Sequence, residues 1–146
     1  MNHTSQNLKA FLQGDWSLTR KVTDIRSNSV AHMTGTALFK EHPKGLWYRE
    51  QGQSEMSTYQ GPFFQDYLYR FPATHKAEVC FTDGRLFYQF DVGENPCEVV
   101  HYCGRDQYQG RICIEENQCL NIEWLVLGPR KHYRVMTQMR NCSFFE

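Results

Sequence analysis

Several things are missing from this sequence, and each absence removes a class of function. No apolar run approaches the ~18 residues that a membrane-spanning helix requires. The opening stretch Met1-Asn2-His3-Thr4-Ser5-Gln6 is polar and has no apolar core, so a signal peptide is not expected and a cytoplasmic protein is. Net charge is also missing: 16 basic residues balance 16 acidic ones, leaving no global field to attract nucleic acid or an anionic membrane. No cysteine pair has C-x-x-C spacing, and the histidines His32, His42, His75, His101 and His132 match no metal motif, so no metal site is expected. Nor does any segment repeat, which argues against a propeller. Only one stretch, near the N-terminus, has helical spacing.

What is present is aromatic and cysteine-rich. Ten Phe, eight Tyr and three Trp sit in strand-like runs, which suits a pleated, half-buried surface. Six cysteines (Cys80, Cys97, Cys103, Cys113, Cys119 and Cys142) are read as reduced thiols acting as small apolar residues. A length of 146 residues is enough for one domain with a sizeable core, assigned to 1–146.

Ser5 is positioned to cap a short helix over about 5–13, with Leu8, Phe11 and Leu12 on one face and Gly14 as its stop. From Asp15 the period becomes two. Trp16, Leu18, Arg20 and Val22 share the inner face of the first strand. Further strands are expected near 33–40, 46–53, 64–71, 77–82, 85–92, 98–103, 108–114, 119–127 and 131–140. The breaks are turn signals, with Asp83-Gly84 the clearest hairpin and Gly61-Pro62 the end of a loop. On the third strand both faces are mixed, so its inner side is left open. The fold expected is all-β: a single closed antiparallel up-and-down barrel of about ten strands over 15–141, with the last strand beside the first and the helix over one end. A two-sheet sandwich is the structural rival.

Gly14-x-Trp16 on a first strand after a short helix resembles the opening of the calycin superfamily, which includes lipocalins and fatty-acid-binding proteins. In that superfamily an arginine of the last strand lies across the tryptophan. The resemblance therefore gives Gly14, Trp16 and Arg140 (or Arg134) a role in closing the barrel. A nearer resemblance is to an uncharacterised bacterial family of lipocalin-like domains of unknown function. It is carried by Phe11-Leu12-x-Gly14-x-Trp16-x-Leu18-x-Arg20, Tyr67-x-Tyr69-Arg70, Phe81-x-Asp83-Gly84-Arg85-x-Phe87, His101-x-Cys103-x-x-Asp106-x-Tyr108 and Trp124-x-Val126-x-Gly128-Pro129-x-Lys131-x-Tyr133. It implies the fold and brings no activity with it.

Three functions suit such a chain. The first is binding of a small, partly apolar molecule inside the barrel, anionic if an inward arginine is free to hold it. Arg20, Tyr48, Arg70, His101, Tyr108, Trp124, Lys131 and Tyr133 are the candidate contacts. Arg20 points inward and needs a carboxylate, from Glu50, Glu123 or a ligand. The second is an enzyme that uses His101 oriented by Asp106, or Cys103 as nucleophile, although a non-enzyme is favoured. The third is a protein-interaction scaffold with a filled barrel. No cofactor is expected; haem on a single histidine is the nearest alternative. Partners are limited to a small molecule, with a homodimer left open and neither nucleic acid nor membrane expected. A cavity above about 300 Å³ would favour the binding reading.

Overall fold

The computed structural model describes residues 7–57, 59–115 and 117–142. The expectations for Ser5 and the first six residues lie outside that range, as does Glu116 in the loop before the ninth strand. One short helix, α1 (Leu8–Leu12), precedes ten strands. These are β1 (Gly14–Asp24), β2 (Ser29–His42), β3 (Gly45–Met56), β4 (Tyr59–Ala73), β5 (Lys76–Cys80), β6 (Leu86–Asp91), β7 (Cys97–Cys103), β8 (Asp106–Glu115), β9 (Cys119–Leu127) and β10 (His132–Asn141). Among the described residues, no helix is long and apolar enough to cross a membrane.

All pairings are antiparallel, in the order β6-β5-β4-β3-β2-β1-β10-β9-β8-β7. Hairpins link consecutive strands except β6 and β7, and β10 lies along β1 with Trp16 opposite Asn141 and Arg20 opposite Thr137. The expected barrel is therefore present, with a seam between β6 and β7. Those two strands have no ladder between them and meet through side chains, the Phe87 and His101 rings being 5.0 Å apart.

The end under α1 is packed solid. Trp16 is fully buried, with Phe11 and Phe39 edge-on to it at 5.7 and 6.2 Å. Its indole N–H donates to the Leu12 carbonyl at 2.7 Å, so the helix end fixes the ring. Leu8 and Leu12 have no exposed area. Five residues are too few for a helix to persist alone. α1 is held by this packing, by the Asn7 cap on the Ala10 N–H, and by the Leu8 N–H donating to the Thr74 carbonyl at 2.8 Å. Gly14 begins β1 with φ +120°, a conformation that side chains disfavour, where the chain turns from helix into strand.

Three expectations need correction. Arg140 and Arg134 do not cover Trp16. Alternation places Val135, Thr137, Met139 and Asn141 of β10 inward, so both arginines face solvent and Asn141 stands opposite Trp16. Gly61-Pro62 does not end a loop but lies inside β4, which starts at Tyr59. The cap of α1 is Asn7, and the last helical residue precedes Gln13, not Gly14.

Candidate functional site

Away from α1 the interior is not filled. A cavity of about 240 Å³ lies between β1, β3, β4, β6, β8, β9 and β10. It extends to the exposed Gln65 at the end opposite the helix. That volume falls short of the ~300 Å³ expected of the binding reading, which is the lower bound for drug-sized ligands. It exceeds the ~150 Å³ of an apolar cavity known to take benzene.

The polar wall is built from neighbouring strands. Arg20 of β1 points inward in phase with Trp16 and Leu18. The strand beside it, β2, presents Gly35 and Ala37 on its inner face, opposite Leu18 and Trp16. The guanidinium reaches past β2 to Glu50 on β3. The pair is bidentate, with Nη1 to Oε1 at 2.6 Å and Nη2 to Oε2 at 2.8 Å. Arg20 Nε donates to Thr137 Oγ1 at 2.7 Å, and the Tyr48 hydroxyl donates to Glu50 Oε2 at 2.5 Å. Glu50 is buried. Burial disfavours the Arg20 charge, but the hydrogen bonds and charge of Glu50 outweigh it, so its pKa lies above the ordinary value. Burial first, then the Glu50 charge, pushes the Tyr48 hydroxyl well up. The same two causes push Tyr67 up to about 12. Burial likewise raises Tyr69 and Tyr88.

The opposite wall is aromatic. Phe87 and Trp124 lie nearly parallel with centroids 5.3 Å apart, and Tyr108 stands edge-on to both. Trp124 also depends on Gly110, its partner across β8 and β9. A Cβ at Gly110 would come within 2.5 Å of the indole. Phe87 reaches the cavity through a register shift between β5 and β6, where Val79 pairs with Tyr88 but Cys80 pairs with Leu86. The extra residue changes the phase. Leu86 is left 46% exposed and Phe87 turns in, the reverse of simple alternation.

Of the residues named from sequence, Arg20, Tyr48, Tyr108 and Trp124 line the cavity. His101 sits behind its wall, against Phe81, Phe87 and Tyr108. Tyr133 has the inward phase of β10 but lies beyond the lining, opposite Asp24 and Val126. Arg70 is on the outer face of β4, its Nε 3.5 Å from Glu78 and without hydrogen-bond geometry. Its face was legible, since it alternates with Tyr69 and Phe71. Asp106 pairs with Lys131 at 3.1 Å, at the rim, and not with His101; Cys103 is exposed beside it in the register. A His101–Asp106 dyad is therefore not assembled. Glu123 faces solvent, which leaves Glu50 as the partner of Arg20. Among the described residues no three of His, Cys, Asp and Glu converge as metal ligands. Phe87 was missed because a bulge leaves little trace in sequence. Thr137 and Met139 had only their phase to indicate them.

No curated protein matches the chain. Among solved structures, an S-type phycobiliprotein lyase, CPES from Guillardia theta, is similar with a TM-score of 0.57 and 7% identity, over 90% of this chain and 88% of that one. At that identity the likeness is one of fold. The model of a family of unknown function, DUF6314, matches residues 12–141, from the last turn of α1 to the end of β10, and the chain belongs to that family.

Proposed function

We propose that the barrel is a binding protein for a small, largely apolar molecule, held in the cavity between the Arg20–Glu50 wall and the Phe87–Trp124 wall. The observation that carries this is the unequal filling of the interior. The α1 half is packed around Trp16, and the other half keeps about 240 Å³ open beside the Arg20–Glu50–Tyr48 network. A scaffold needs no such space, and a buried charge pair beside it would be replaceable by packed apolar residues. A calycin-like barrel is compatible with this use, and the likeness to a phycobiliprotein lyase supports the lipocalin-like reading at the level of fold. The six cysteines are unpaired, which suits a reducing compartment such as the cytoplasm. Neither the Asp106–Lys131 pair nor the exposed Cys103 favours catalysis.

The reading is tested by adding naphthalene to isotopically labelled protein and mapping amide shifts. Binding should move signals of inward residues around Tyr67, Ile122, Trp124 and Val135. Shifts confined to outward residues, or none at saturation, would remove the proposal.

A further inference from the structure

The cavity's hydrogen-bonding groups are unequal in kind, and this restricts what can occupy it. Arg20 is the cation in the wall, and it is not free. Glu50 takes one N–H from each terminal nitrogen, and Thr137 takes the Nε–H. Both Glu50 oxygens are engaged by Arg20, and one also by Tyr48. The pair carries no net charge. An anion placed there would displace Glu50 or sit beside it desolvated, and either is costly. A cation would meet the same difficulty with Arg20.

What remains unsatisfied is mostly donors. Tyr67, Tyr108 and Trp124 line the cavity, and neither the two hydroxyls nor the indole N–H is hydrogen-bonded to another of the described residues. Two of the five guanidinium N–H groups of Arg20 are also left over. The one amide oxygen in the lining belongs to Gln65, at the exposed end.

We infer that the ligand is a neutral molecule of one or two rings that carries a hydrogen-bond acceptor such as a carbonyl, and not a carboxylate or a phosphate. This rests on the small-molecule reading above. The acceptor lies between Tyr67 and Tyr108, and the ring system lies against the Phe87–Trp124 wall. The cavity volume sets the size, since it is larger than a benzene site and smaller than a drug-sized one. It follows that the inward arginine of β1, which looks like an anion receptor in the sequence, serves here to hold Glu50 and Tyr48 in place.

The test compares three probes of one shape by calorimetry on the whole protein: 1-acetylnaphthalene, 1-ethylnaphthalene and 1-naphthoate. The ketone should bind about 5–10-fold more tightly than the hydrocarbon, the gain expected of one hydrogen bond. The naphthoate should bind most weakly. In the Tyr67→Phe/Tyr108→Phe double variant, with folding checked by circular dichroism, the ratio of ketone to hydrocarbon affinity should fall to near one. A naphthoate that binds best, a ketone no better than the hydrocarbon, or a ratio untouched by the double variant overturns the inference and leaves the cavity as a binding site. Failure of all three probes to bind overturns both.

Discussion

Two side chains, Trp16 and Arg20, stand four residues apart on one face of β1 and serve different ends of the barrel. Trp16 is wholly buried between α1 and Phe39, so Trp16→Ala removes an aromatic group from a close-packed site. Chemical denaturation should show a loss of about 3–5 kcal/mol. Arg140→Ala should leave the unfolding midpoint unchanged, because that side chain faces solvent opposite Ser17. The contrast separates this barrel from the calycin pattern, in which the last-strand arginine covers the tryptophan. Arg20 behaves differently. Glu50→Ala leaves a half-buried guanidinium without its carboxylate and should destabilise by about 3–5 kcal/mol. A double change to Arg20→Met with Glu50→Leu should recover most of that loss, because no uncompensated charge remains. A double variant as unstable as the single one would show that the pair stabilises by more than its desolvation penalty.

Among the elements, β6 and β7 are the weak point. Each has a ladder on one side only, so half of their main-chain groups lack a strand partner. Amide exchange should be faster at β6 and β7 than at β1 and β10, which are paired on both sides. Equal protection around the barrel would mean that the seam is closed by more than Phe87 and His101. Ten strands, the first beside the last, and the docking of α1 were all legible in the sequence, because period-two alternation and turn residues are local signals. The same alternation predicts that Arg140 points outward, since it is out of phase with Val135, Thr137 and Met139; the superfamily resemblance pointed the other way. The inner side of β3 was not legible. Leu46, Tyr48 and Glu50 mix apolar with acidic residues, and only the reach of Arg20 past β2 explains a carboxylate inside. Phe87 was hidden for another reason: a register shift belongs to a pair of strands, and no single strand records it.

The molecule as a whole is a barrel with one filled end and one open end, and its tyrosines report on that division. Tyr48, Tyr67, Tyr69 and Tyr88 line the cavity with raised pKa values, burial being the leading cause in each. Below about pH 10 both the folded and the unfolded chain keep these protons, and stability is unaffected. As pH rises from about 10 towards the value of about 12 held by Tyr67, the unfolded chain loses protons that the folded one retains. Stability should fall through that window, on the order of 1 kcal/mol per pH unit for each proton retained. Tyrosinate absorbance and circular dichroism recorded together should show these four ionising only as the protein unfolds. Ionisation of these four while the protein stays folded would contradict their burial. The claim that matters most is that the open half exists to hold something. Native mass spectrometry of the protein purified from its own host tests it directly. The expected result is a complex heavier than the chain by one small neutral molecule, released on denaturation and absent from a Trp124→Ala variant purified alongside. A bare chain mass from the host, together with no affinity for any of the naphthalene probes, would contradict it.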